Sequence, residues 1–166
     1  MIFLTLLLLA TGCYSFPTGA PTDSCSELLP KHPKRGPDGS PSSEIIEPQT
    51  SPSPFKLEAK VLKCDLIEVT LSGDEFRGFI LRPFDEDGKP LPGKFSDASG
   101  LQTINCGEEG DTATHTDREL KKDYNLQWNY PDGCSKDGLK VVFKGSVVKS
   151  YDLIWKIESE AVSLKE

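Results

Sequence analysis

The sequence predicts an all-β fold, an antiparallel sandwich of about eight short strands behind an extended N-terminal arm. Three observations carry this. From residue 55 onward, apolar and polar residues alternate with period two in segments separated by turn chemistry, the pattern of strands with one buried face. No long stretch shows helical apolar periodicity, and residues 119–123 offer one helical turn at most. Residues 16–54 are instead rich in Pro, Ser, Thr and Gly, and the prolines from Pro17 to Pro54 interrupt any helix or ladder there.

The arm reads as an extended segment held once, at Cys25, with a basic cluster at Lys31-His32-Pro33-Lys34-Arg35. Leu57, Ala59 and Val61 alternate with Lys56, Glu58 and Lys60 to open the first strand. Ile67, Val69 and Leu71 alternate with Glu68, Thr70 and Ser72 in the second, and Ser72-Gly73-Asp74-Glu75 turns the chain. The third strand runs over 76–84 with Arg77 and Gly78 inside it, and a glycine there marks a bulge or a close backbone approach. Arg77 points either to solvent or to the interior, where it would need a carboxylate. After the turn Asp85-Glu86-Asp87-Gly88-Lys89-Pro90, short strands at 93–95 and 101–106 flank Asp97-Ala98-Ser99-Gly100. Leu126, Trp128 and Tyr130 alternate with Asn125, Gln127 and Asn129, and Pro131-Asp132-Gly133 turns the chain again. A long strand at 139–148 and a last one at 151–157 complete the set. Trp128 and Trp155 fall on the apolar faces and are expected in the core.

Ile2 to Ala10 is apolar apart from Thr5, long enough for a signal-peptide core and too short to span a bilayer. Small residues at Cys13 and Ser15 place the cut near Phe16. Residues 1–15 are thus expected to be a signal peptide, 16–54 the arm, and 55–163 the sandwich domain of a secreted, extracellular protein with no membrane anchor. Ala10-Thr11-Gly12-Cys13 is only loosely like a lipobox, since the expected leucine is missing. Cys25, Cys64, Cys106 and Cys134 remain after the cut, and an even count in a secreted chain reads as two disulfides with three pairings open. No Cys-x-x-Cys pair supports a zinc knuckle or a thioredoxin-like site. A net charge of −7 argues against duplex nucleic acid, which requires a basic face, and against lysis of anionic membranes by a cationic helix.

Several segments together resemble the reeler (reelin-type) domain. Cys25 to His32 looks like its opening Cys…Pro-x-His, and Ser53-Pro54-Phe55-Lys56-Leu57 like its first-strand entry. Leu71-Ser72-Gly73 followed by Phe76-Arg77-Gly78-Phe79 is similar to its Leu-Ser-Gly…Phe-(Lys/Arg)-Gly-Phe. Cys106 followed by Ala113-Thr114-His115-Thr116 resembles its Cys…Thr-His block, and Gly145-Ser146-Val147-Val148 with Tyr151 and Trp155 its last strands. The short single-domain format is similar to the arthropod defence proteins of that family. The resemblance implies an immunoglobulin/fibronectin-III-like sandwich and a Cys25–Cys106 disulfide, which leaves Cys64 to Cys134. It also implies a role in antibacterial innate immunity, through microbial surface components and haemocyte aggregation.

No catalytic constellation stands out. His115 lacks the partners that a nucleophilic or zinc site requires and reads as a hydrogen-bonded structural histidine. Asp85-Glu86-Asp87 and Glu108-Glu109-Gly110-Asp111 match no EF-hand and read as solvated acidic loops. No enzyme activity, cofactor or metal is expected. The expected partners are lipopolysaccharide, lipoteichoic acid or β-glucan, or a haemocyte surface, contacted through local basic patches at Lys31, Lys34 and Arg35 and at Lys121 and Lys122. The competing expectation is an extracellular adhesion or matrix module.

Overall fold

A computed structural model describes residues 18–131 and 138–164. Among these residues the strands are, in chain order, β1 (Pro33–Arg35), β2 (Pro41–Ile45), β3 (Phe55–Lys63), β4 (Leu66–Gly73), β5 (Gly78–Phe84), β6 (Lys94–Phe95), β7 (Leu101–Ile104), β8 (Thr112–His115), β9 (Tyr124–Asn129), β10 (Lys140–Ser150), β11 (Leu153–Glu158) and β12 (Val162–Ser163). One sheet runs β3-β4-β9-β6 and the other β11-β10-β5-β8-β7, with β12 also on β10. The paired strands are antiparallel. The fold is the all-β sandwich that the alternation implies.

The period-two pattern decides which side chains meet. Ile67, Val69 and Leu71 of β4 are wholly buried and register against Trp128, Leu126 and Tyr124 of β9. They join Phe79, Leu81, Phe143, Val147 and Trp155 from the other sheet in one core. Aromatic rings lock the layers edge to face, with Trp128 and Phe143 centroids 5.7 Å apart and Phe55 and Trp155 5.6 Å apart. Each such fully buried side chain stabilises the fold by about 1.5–3 kcal/mol.

β5 breaks the alternation, because Gly78 through Pro83 are all buried. Phe79 and Leu81 belong to the core, while Gly78, Ile80 and Arg82 point to the opposite face of the sheet. Ser146 and Val148 of β10 lie on that same face, and the arm covers it. Cys25 and Cys106 form a disulfide with Cα atoms 5.3 Å apart. The Ser146 hydroxyl donates to Leu28 O at 2.6 Å, Ala20 N to Thr114 Oγ1 at 3.0 Å, and Gln49 N to Ile154 O at 2.7 Å. The arm is therefore pinned along its length, not once at Cys25 as its proline content implied. It also holds a ladder: β1 and β2 pair sparsely, Pro33 with Ile45 and Arg35 with Pro41, so both prolines sit at strand starts. A 3-10 turn at Thr22–Ser24 precedes the hairpin.

Two further segments owe their conformation to distant partners. Residues 119–123 form no helical turn, because Lys121 instead bridges to Phe76 through two backbone hydrogen bonds. β8 carries no apolar alternation, yet it lies in the middle of its sheet. Thr112, Ala113 and Thr114 are all wholly buried there, and the Thr114 and Thr112 hydroxyls are satisfied by Phe79 O at 2.7 Å and Asp111 Oδ1 at 2.9 Å.

Candidate functional site

Between the arm and the outer face of the β5–β10 pair lies a cleft of about 190 Å³. Gly78, Ile80, Ser146 and Val148 form its floor, and Arg77, Arg118 and Tyr151 stand at its edges. Both histidines of the chain, His32 from the arm and His115 from β8, line it. Gly78 is required by close approach, since a Cβ there would come 2.7 Å from His115 Cε1.

Several polar groups of the cleft are already engaged, while Nε2 of His32 and of His115 has no hydrogen-bond partner among the described residues. His115 Nδ1 accepts the Phe79 N–H at 3.2 Å. Burial pushes the His115 imidazole below its ordinary value, opposed by the Phe79 carbonyl 3.3 Å from Nδ1 and reinforced by the Lys121 charge. Ser146 Oγ is committed to Leu28 O. His32 Nδ1 donates to Tyr151 O at 2.7 Å, so the carbonyl acceptor fixes that nitrogen as the protonated one. The His32 ring stacks on Tyr151 with centroids 4.7 Å apart, the Arg35 guanidinium lies 4.9 Å from the Tyr151 centroid, and the Tyr151 hydroxyl donates to Pro33 O. These contacts clamp the β1–β2 hairpin onto the turn between β10 and β11.

None of the basic residues singled out from the sequence lines this cleft; they sit next to lining residues, in the arm beside His32 and in the loop that carries Arg118. On the arm side Lys31 is exposed, Lys34 pairs with Glu44 at 2.8 Å in solvent, and Arg35 also donates to Gly39 O at 3.1 Å. On the other side Lys121 Nζ turns inward, to Asp117 Oδ1 at 2.8 Å and to the carbonyls of Arg77, Asp117 and Glu119. Lys122 is exposed. Arg77 is exposed and donates to Arg118 O at 2.9 Å, which ties the β5 entry to the loop that carries Lys121. Arg77 and Arg118 were not picked out as ligand contacts by sequence reasoning. Their signal was the same local run of cations, Arg77 beside a strand glycine and Arg118 ahead of Lys121.

The carboxylate of the structure's buried ion pair was missed as well. Glu108 and Glu109 are exposed as a solvated loop implies, but Asp111 is wholly buried, which corrects the reading of 108–111 as solvated throughout. Arg82 donates to it at 2.6 Å, and Cys106 N, Glu108 N and the Thr112 hydroxyl donate at 2.9, 3.0 and 2.9 Å. Burial raises the Asp111 carboxyl, but the backbone and Thr112 hydrogen bonds and the Arg82 charge outweigh it and leave it below the usual carboxylate range. The loop so fixed carries Cys106 and hence the arm. Cys64 is also disulfide-bonded, and Cys134, expected as its partner, lies outside the described residues. Among the described residues no group of three or more His, Cys, Asp or Glu could hold a metal ion, and no helix is long and apolar enough to cross a membrane.

Comparison with known proteins places this geometry. The model of the reeler domain family matches residues 23–166, a span that includes most of the arm. "Putative defense protein" of Bombyx mori is 30% identical over 83% of this chain and 78% of its own length. "Putative defense protein 3" of Antheraea mylitta is 32% identical over 85% of this chain and 81% of its own. "Ferric-chelate reductase 1" of Mus musculus is 30% identical over 96% of this chain but only 26% of its own length. Among solved structures, the human F-spondin reeler domain superposes with a TM-score of 0.52 at 21% identity, covering 69% of this chain and 90% of that one.

Proposed function

The chain belongs to the reeler domain family, and from that membership we propose that it is a secreted, non-enzymatic defence protein that recognises anionic microbial surface polymers at the cleft under its arm. Its similarity to proteins named for defence, over four-fifths of its length, supports a defence-like role. The observation that carries the finer reading is electrostatic. In a chain with net charge −7, the charged side chains that line the cleft are the cations Arg77 and Arg118, and no acidic residue lines it. Such a local cationic field attracts phosphate-bearing polymers despite the unfavourable overall charge. Lipopolysaccharide and lipoteichoic acid fit it. β-Glucan fits less well, because the Tyr151 ring, which a sugar would stack on, already carries His32 and Arg35.

A pull-down of the mature protein on bacteria and on yeast across a salt series tests this. Capture of bacteria at low salt that weakens as salt rises is expected, and no capture at low salt overturns the reading. The competing role is that of an extracellular adhesion or matrix module. Binding to haemocytes or matrix with no microbe present would favour it.

A further inference from the structure

We propose that the cleft is a pocket for the hydrocarbon tail of an anionic amphiphile, with the tail on Ile80 and Val148 and its phosphate or carboxylate head against Arg77 and Arg118. The inference rests on the reading of this cleft as the recognition site and names the chemistry taken there.

The size comes first. At about 190 Å³ the cleft is larger than the ~150 Å³ apolar cavity known to hold benzene, yet well short of the ~300 Å³ at which sites for whole drug-sized ligands begin. It suits one end of a molecule, a chain of roughly six to eight carbons. The interior chemistry follows. Ser146 Oγ, Thr114 Oγ1 and His115 Nδ1 are polar groups on or beside the floor, and each is spent on a protein partner. Burial holds His115 towards its neutral form. What remains to meet a ligand is mostly hydrocarbon, from Ile80, Val148 and the arm's Ala20, Pro21 and Pro30, with His115 Nε2 as an unengaged polar atom beside it. The charge distribution comes third. The fixed cations stand only at the edge, where Arg77 uses one N–H on Arg118 O and keeps others for an anion. The loop behind Arg118 also exposes Leu120, 53% accessible, between Glu119 and Lys121. An apolar floor and a cationic edge complement a tail joined to an anionic head. They do not complement a neutral sugar or a cationic lipid.

Calorimetry with octyl phosphate below its micelle concentration tests the proposal. Saturable binding is expected, and shortening the tail to butyl phosphate, which removes about four buried methylenes, should weaken it about 200-fold. Octyl glucoside and octyltrimethylammonium keep the tail and lose the anion, and each should bind at least about tenfold more weakly. Val148→Phe fills the pocket and should abolish binding, while Arg118→Glu, at an exposed side chain, should reduce it without lowering the melting temperature. The chain-length series on the unaltered protein decides the matter should Val148→Phe fail to fold. No saturable binding of octyl phosphate, or equal binding of octyltrimethylammonium, overturns the pocket. Octyl phosphate binding without capture of bacteria overturns the microbial reading alone, and capture without octyl phosphate binding overturns this inference alone.

Discussion

Replacing Cys25 and Cys106 together by serine removes the bridge that joins the arm to the loop beside β7. The two residues are 81 apart in sequence. For a loop of that length, the loss of unfolded-state entropy that a cross-link imposes amounts to about 4.5 kcal/mol at 25 °C. Small domains are stable by only about 5–15 kcal/mol, so the effect is a large share of the total. The arm keeps the Ser146–Leu28, Ala20–Thr114 and Gln49–Ile154 hydrogen bonds, each worth about 1 kcal/mol net, and these can open locally once the bridge is gone. Urea unfolding followed by fluorescence suits the measurement, because both tryptophans of the chain, Trp128 and Trp155, are buried in the sandwich. Trypsin reports the arm separately through its sites at Lys31, Lys34 and Arg35. A loss of about 3–5 kcal/mol together with faster cleavage in the arm is expected. A loss under about 1 kcal/mol with unchanged cleavage would refute the assignment of this bridge as the arm's main tether.

Asp111→Ala strands the Arg82 guanidinium and the Cys106 and Glu108 N–H groups in the interior, and a loss of about 3–5 kcal/mol in the same urea assay is expected. Gly145→Ala would put a Cβ 1.8 Å from Ile80 O, which is backbone, so the β5–β10 pairing must part and a cost of at least about 1–3 kcal/mol is expected from thermal unfolding. Gly78→Ala should cost less, because its Cβ meets the His115 ring, which can move. Acid should destabilise the fold in two stages. His115 has a folded value below its unfolded one of about 6.5, so its contribution is complete above that pH and is lost as pH falls through the folded value. Asp111 is depressed too, so its contribution is complete above about pH 4 and is lost below that, as pH falls through its folded value. Melting temperatures from pH 8 to 3 check this, and His115→Gln should flatten the first stage only.

The sandwich was legible because its strands follow the period-two rule, and Ile67-Val69-Leu71 and Leu126-Trp128 need no context to declare a buried face. β8 was not legible, since Thr-Ala-Thr-His carries no hydrophobic contrast and its burial depends on hydroxyls finding distant carbonyls. The β1–β2 hairpin was hidden by prolines that sit where no ladder donor is needed. Arg82 offered a readable clue, because a cation inside the apolar run Phe79-Ile80-Leu81 calls for a buried carboxylate, yet nothing local names Asp111. The cleft was half legible. Its cations are visible as Arg77 and Arg118, but only the path of the arm over β5 and β10 brings His32 to His115.

Backbone-amide NMR of the mature protein titrated with octyl phosphate, then with lipopolysaccharide, tests the central claim that the cleft under the arm is the recognition site. Shifts confined to Ala20, His32, residues 77–80, His115, Arg118 and residues 146–151 are the expected result. Shifts centred on β3, β4 and β9, with the cleft amides unmoved, would contradict it.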